Sequence, residues 1–304
     1  LAPKINNMSQ IIPESELVLN PDGSIYHLAL HPEDIATRIL LVGDPDRVAR
    51  ISRHFDHIEI QKQKREFVTH TGTLNGQRIT VMSTGIGTDN IDIVLNELDA
   101  LANIDLKTRE VKQQHTTLHF IRIGTSGSLQ PDLLVDEFLA GTHGLGLDML
   151  MHYYDSPETE EESKMSEVLM AHGTSASMPA RPYFRAASSR LLGHFTKHYS
   201  FKTGITATCA GFYGPQGRQL RAALKYPDFL ESLQRFEYNG LRVMNFEMET
   251  AGIYGLGRIL GHECLSVNAI IANRATHTFS KDPYKTIDRL IETVLEIVSK
   301  PFEP

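Results

Sequence analysis

The residues Ile39-Leu40-Leu41-Val42-Gly43-Asp44-Pro45-Asp46-Arg47-Val48 decide the fold. Four aliphatic side chains in a row, with no polar alternation, describe a short strand buried on both faces, as in a parallel sheet. Gly43-Asp44-Pro45 ends it at a turn, and Asp44 or Asp46 can cap a helix whose inner face carries Val48 and Ile51. The same pattern recurs along the chain. Strands are predicted over residues 66–73 and 78–83, joined by a hairpin at Asn75-Gly76, and over 119–123, 204–208, 242–246 and 265–272. Helices are predicted over 89–102, where Ile91, Val94, Leu95, Leu98 and Leu101 hold helical spacing, and over 248–260 and 283–299. Strands alternating with helices make an α/β fold: a single domain with a central mixed, largely buried β-sheet flanked by helices.

Residues 1–24 are polar and rich in turn formers and read as a flexible N-terminal arm; 25–304 form the domain. The chain starts without Met, and the residues up to about Met8 read as an addition ahead of the native start. From about 141 to 190 the rhythm breaks. An acidic stretch (Asp155, Glu158, Glu160, Glu161, Glu162, Glu167) is followed by a small-residue one (Ser175, Ala176, Ser177, Pro179, Ala180, Pro182). This reads as a solvated excursion, or as a functional lid.

Composition excludes several classes. Of 304 residues, 30 are Lys or Arg and 37 Asp or Glu, a net charge of −7, so no broad nucleic-acid-binding face is expected. From two isolated thiols, Cys209 and Cys264, no zinc spacing and no disulfide framework can be read, which makes a reducing cytoplasm the expected compartment. No run of 18 apolar residues exists and the first ten residues lack a signal-peptide core, so no membrane association is expected.

Four places carry chemistry. Gly43-Asp44-Pro45-Asp46-Arg47 and Arg122-Ile123-Gly124-Thr125-Ser126-Gly127 each put an Arg beside a Gly-rich turn after an apolar strand; Lys64-Arg65-Glu66-Phe67 has the cation without the turn. Glycines let backbone N–H groups approach an anion, hydroxyls add donors and guanidinium groups bind phosphate oxygens bidentately. For a lone Arg a surface ion pair is the commoner explanation, but two such turns at strand ends point to a phosphate site. Asn245-Phe246-Glu247-Met248-Glu249-Thr250 sits where a strand becomes a helix: either acid can cap the helix, or Glu249 can stay ionised there and accept two sugar hydroxyls. Phe212-Tyr213-Gly214-Pro215-Gln216-Gly217-Arg218 sets an aromatic, an amide and a guanidinium in one loop, which suits a planar polar heterocycle or is a plain turn. Arg274, after the last apolar strand, is a fixed cation or an ion-pair partner. Gly85-Ile86-Gly87 lacks the third glycine of a dinucleotide fingerprint, Gly255-Leu256-Gly257 falls inside a helix, and no phosphate loop ending in Lys-Ser/Thr exists. His194 and His198 have helical spacing without a third ligand, so no metal is expected.

Taken in order, GDPDRV (43–48), REF (65–67), STGIG (83–87), RIGTSG (122–127), FYGPQGR (212–218), NFEMET (245–250) and NR (273–274) resemble the nucleoside phosphorylase-I family, most closely its uridine phosphorylase branch. The resemblance runs from about Tyr26-His27-Leu28 to the terminal helix. It implies a three-layer α/β/α fold and a pentosyltransferase that cleaves a nucleoside with inorganic phosphate to free base and ribose 1-phosphate, in pyrimidine salvage. It implies no organic cofactor. Position by position, it implies that Gly43, Arg47, Arg122 and Thr125 hold phosphate, with Arg65 joining from a neighbouring subunit. Thr125, Met248 and Glu249 would hold the ribose, with His27 of the neighbour on the 5′ hydroxyl. Phe212, Gln216, Arg218 and Arg274 would surround the base. Arg122, Glu249, Arg218 and Gln216 would carry catalysis. The partners implied are nucleoside, phosphate and further copies of the chain, a dimer being the minimal unit and a hexamer the larger assembly.

Purine-specific relatives place an Asp near Asn273-Arg274; here none is present, and Gln216 with Arg218 matches the uridine enzymes. Hydrolytic nucleosidases of the same fold do not need Arg47, Arg65 and Arg122. A purine phosphorylase and a non-catalytic nucleoside-binding protein are the alternatives. In some relatives the stretch after Gly87, together with the residue matching Glu66, helps hold a monovalent cation between subunits. Thr88-Asp89-Asn90 departs from that pattern and weighs against the cation. Gly211 and the order Gly214-Pro215 depart from the usual base loop, which leaves the choice among pyrimidine nucleosides open.

Overall fold

The structure, a computed structural model, describes residues 11–171 and 181–302. The chain begins with β1 (Arg38–Val42), α1 (Pro45–Ser52), β2 (His57–Lys64), β3 (Phe67–Leu74), β4 (Gln77–Ser83) and α2 (Thr88–Asn103). It continues through a small hairpin, β5 (Ile104–Asp105) and β6 (Glu110–Val111), then β7 (His119–Ser128), β8 (Phe138–Leu147), α3 (Glu160–Leu169), β9 (Tyr183–Ala186), α4 (Ser189–His198) and β10 (Lys202–Cys209). The last part holds α5 (Phe229–Arg235), β11 (Glu237–Tyr238), β12 (Leu241–Glu247), α6 (Thr250–Ile259), β13 (Glu263–Asn273), β14 (Thr278–Phe279) and α7 (Pro283–Val298).

The main sheet runs β2-β3-β4-β1-β7-β13-β8-β10-β12-β11, with β9 beside β8 and β14 beside β13. β1 lies parallel to β4 and β7, as expected of a strand buried on both faces. Leu40 and Val42 pack with Leu290 and Ile291 of α7, while Ile39 and Leu41 pack with Ile91 and Leu95 of α2. The helices thus form two layers, and the fold is α/β/α. At its other half the sheet closes: β12 pairs antiparallel with the end of β7, so that β7, β13, β8, β10 and β12 form a ring. The ends of β1, β7, β10, β12 and β13 are thereby gathered at one mouth.

Three expectations change. Gly124-Thr125-Ser126-Gly127 is not a turn: β7 continues through it, paired with β13 as far as Ser128. Its first glycine serves a close approach, because a Cβ there would overlap the guanidinium of Arg122. The excursion is shorter than 141–190, because residues 141–147 lie in β8, in the middle of the sheet, and 183–186 form β9 beside it. Its acidic stretch is also tied in: Glu162, fully buried, accepts from Ala186 N–H and pairs with Arg258 of α6. The small-residue stretch up to Ala180 lies outside the described residues. The arm is anchored from Ile12 onward rather than loose. Leu17 is buried in the core, Ile12 N–H donates to Arg109 O, and the Asn20 amide donates to Ile25 O at 2.8 Å. Residues 1–10, with Met8, lie outside the described residues. No described helix is long and apolar enough to cross a membrane.

Candidate active site

A cleft of about 460 Å³ opens at the mouth of the ring. β1 ends at Gly43; Asp44 caps α1 by accepting from Asp46 N–H at 3.0 Å, and Pro45 starts the helix. This turns Arg47 inward beneath the sheet edge. Arg47 is only 8% exposed. Its Nη1 donates to Ile123 O at 3.2 Å, its Nε has no partner, and among the described residues no carboxylate pairs with it. Burial, followed by the repulsion of Arg122, holds its pKa down to about 10. Two buried guanidinium groups thus stand side by side, one with an unpaired donor, which is chemistry suited to an oxyanion.

Across the cleft, β12 runs into α6 through Glu247-Met248-Glu249. Glu249 accepts from Gly87 N–H at 2.8 Å and pairs with Arg122 Nη2. Glu247 accepts from Thr208 Oγ1 at 2.6 Å and from the N–H groups of Glu249 and Thr250 at 2.9 Å; Ala251 N–H goes to Thr208 Oγ1. The first turn of α6 is therefore capped by two side chains, which locks Met248 and Glu249 in place. Glu247 also lies 3.5 Å from Arg122 Nη2. Burial pushes its carboxyl up to about 7, with Arg122 pulling down and Glu249 pushing up. Burial works against the charge of Arg122 as well, but Glu249 and Glu247 outweigh it and hold its pKa above the ordinary range.

The third wall is the loop after β10. Gln216 is buried, and its Oε1 accepts from Arg218 Nη1 at 2.5 Å, which leaves its NH₂ free to donate. Arg218 lies 3.8 Å over the Phe212 ring and donates to Phe212 O at 2.7 Å. Phe212, Ile86 and Phe279 stand exposed at the rim. This wall presents an aromatic face, an amide donor and a cation.

Gly43, Arg47, Arg122, Thr125, Phe212, Gln216, Arg218, Met248 and Glu249 thus all line one cleft. Arg274 does not: it donates to Gln216 O at 3.2 Å and holds the base loop from behind. His27 and Arg65 lie outside this cleft. His27 Nδ1 is 2.6 Å from Glu97, and Arg65 sits exposed on the β2–β3 turn with φ +54°. The two share one surface, because the neighbouring Lys64 donates to Asn20 and to Tyr26 O. Sequence reasoning did not single out Phe279, which lines the cleft, or Asn268, which accepts from Arg122. A lone amide among Val267, Ala269 and Ile270 was the available signal for the last.

Among the described residues one group of metal-ligand types comes together, Asp99, His115 and His262. His262 Nδ1 accepts from Leu118 N–H at 3.1 Å, and its Nε2 lies 3.1 Å from Asp99 without making a hydrogen bond.

The fold and cleft define an α/β protein with two buried guanidinium groups at the strand ends, two carboxylates facing one of them, and a polar, aromatic pocket beside them. The family model of the Phosphorylase superfamily matches residues 37–300, and the chain belongs to that family. It is 29% identical over 279 residues to a uridine phosphorylase of Thermococcus kodakarensis, covering 92% of this chain and 88% of that one. It is 27% identical over 278 residues to a uridine phosphorylase of Haemophilus influenzae, covering 91% and 96%. The solved structure of a Trypanosoma brucei nucleoside phosphorylase, described as showing uridine phosphorylase activity, superposes with a TM-score of 0.84 at 29% identity, covering 94% of this chain and all of that one.

Proposed function

We propose that the protein is a pentosyltransferase that cleaves a nucleoside, uridine foremost, with inorganic phosphate to free base and ribose 1-phosphate. The observation that carries this is Arg47, a buried guanidinium without a carboxylate partner beside Arg122, a place that suits a multiply charged anion. Phosphate held there lies across from Glu249, whose oxygens bond Gly87 N–H and Arg122 and keep further lone pairs for ribose hydroxyls. Breaking the glycosidic bond builds positive charge on the sugar, and the phosphate both stabilises that charge and attacks it. Negative charge grows on the departing uracil, where the Gln216 amide and Arg218 donate. No covalent enzyme intermediate is required.

The absence of an acid near Arg274 supports the pyrimidine reading. Asn273 uses both ends of its amide on backbone, donating to Gln130 O and Leu133 O and accepting from Ala275 and Thr276 N–H. With its amide so engaged, Asn273 does not offer a proton to a purine ring. The common surface of His27 and Arg65 supports a homo-oligomer in which one patch serves the neighbour's cleft. The buried thiols of Cys209 and Cys264 support a cytoplasmic setting. The test is ultraviolet absorbance on mixing the protein with uridine, with and without phosphate, and with inosine alongside. Phosphate-dependent loss of uridine is the expected result. Cleavage without phosphate would make it a hydrolase, and cleavage of inosine alone would overturn the base assignment.

A further inference from the structure

Arg122 stands in the middle of β7, and its side chain lies back over Gly124 of its own strand. Gly124 is the cross-strand partner of Asn268 on β13. A Cβ on Gly124 would overlap both Arg122 Nη1 and Asn268 Oδ1. The missing side chain opens the gap in which Arg122 Nη1 donates to Asn268 Oδ1 at 3.3 Å. Asn268 is itself completely buried and is held from behind: its Nδ2 donates to Ser266 Oγ at 3.2 Å, and Thr250 Oγ1 donates to the same oxygen at 2.9 Å. Thr250 N–H goes on to Glu247, which flanks Arg122. Arg122, Asn268, Ser266, Thr250 and Glu247 therefore close a polar ring beneath the cleft.

We infer that Asn268 is a positioning residue for phosphate: it fixes one arm of the Arg122 guanidinium with a neutral acceptor, so that the fork is aimed without losing its charge. Arg122 already faces two carboxylates. A third would add further negative charge beside an anion, whereas an amide oxygen supplies direction alone. The inference rests on the reading of the cleft as a phosphate site.

The test is initial-rate kinetics with phosphate and uridine varied separately, on wild type, Asn268→Ala and Asn268→Asp. Losing the aimed contact should raise the phosphate KM about five- to tenfold in Asn268→Ala, with the uridine KM within about twofold. Asn268→Asp, although isosteric, should raise the phosphate KM further, because the new carboxylate adds negative charge that repels the anion. A merely structural role would rank the variants the other way, the isostere being the milder. A phosphate KM unchanged in Asn268→Ala, or equal rises in both KM values, overturns the inference. The rise in melting temperature with phosphate provides a second readout. If wild type leaves uridine intact but is stabilised by phosphate, and Asn268→Ala less so, the uridine reading fails and the positioning inference stands. If phosphate neither drives cleavage nor stabilises wild type, both fail.

Discussion

Replacing Arg47 with methionine should make the protein more stable and less able to hold phosphate. Arg47 is 8% exposed, makes one hydrogen bond to Ile123 O, and keeps its Nε without a partner. Burial and Arg122 hold its pKa down to about 10. A base whose pKa falls on folding costs stability at every pH below the folded value, so at neutral pH the charged Arg47 opposes folding. Measured against an ordinary value of about 12.5 and about 1.36 kcal/mol per pH unit, the penalty is about 3 kcal/mol. Methionine fills a similar volume, removes that penalty and leaves the Ile123 carbonyl without its donor, a loss of about 1 kcal/mol. The balance is a gain of about 2 kcal/mol, or about 3 °C in melting temperature at about 2.1 cal/mol/K of unfolding entropy per residue. The assay is urea and thermal unfolding at one protein concentration in phosphate-free buffer, followed by a phosphate titration. The variant should begin above wild type, and wild type should overtake it as phosphate binds, because only wild type gains from the ligand. A variant less stable than wild type without phosphate would refute the reasoning, since Arg47 would then be a structural cation.

Three other perturbations test the neighbouring parts. Burial pushes the Glu247 carboxyl up to about 7; a carboxyl raised on folding contributes its stability in full below the unfolded value of about 4.3 and loses it as pH rises through the folded one. Wild type should therefore lose about 2–3 kcal/mol between about pH 5 and pH 8 relative to Glu247→Gln in urea unfolding, and parallel pH profiles would contradict this. Glu249→Gln should lower kcat/KM for uridine by about 10²–10³ while leaving the phosphate-induced rise in melting temperature in place; wild-type kinetics would remove Glu249 from ribose handling. Gly144→Ala would put a Cβ 2.6 Å from Ala251 Cα and 2.8 Å from its nitrogen. Displacing α6 in this way should cost about 1–3 kcal/mol and lower activity through Glu249, and a neutral substitution would show that α6 yields.

How legible the fold was depended on what each strand buries. β1 was plain, because both faces meet helices and every residue from Ile39 to Val42 is apolar. β2 was not. It is an edge strand whose residues alternate between exposed and half-buried, and His57-Ile58-Glu59-Ile60-Gln61-Lys62-Gln63-Lys64 reads as a solvated run. β8 was hidden for the opposite reason. It lies in the middle of the sheet, yet Gly141, Gly144 and Gly146 break its apolar pattern, because α6 and Tyr183 press on it too closely for side chains. Glycine marks a turn in one place and a close approach in another, and local sequence does not distinguish them. The same ambiguity made the Gly124–Gly127 stretch of β7 look like a phosphate loop.

The cleft was legible where one segment supplies its own logic, as in Gly43-Asp44-Pro45-Asp46-Arg47 or Phe212–Arg218. It was illegible where two distant segments share one atom. Glu247 and Glu249 are two residues apart and read as alternative helix caps, but the strand-to-helix break turns both toward Arg122, contributed by β7. The physical consequence reaches the chemistry. A buried arginine held by two carboxylates is fixed in place and largely neutralised toward its surroundings, so Arg122 alone is a poor anion receptor. Arg47, which has no carboxylate pair among the described residues, carries the less compensated charge. In the proposed phosphate site one guanidinium would give direction and the other field, and neither role can be read from an Arg in sequence, because the difference lies in what the fold places beside it.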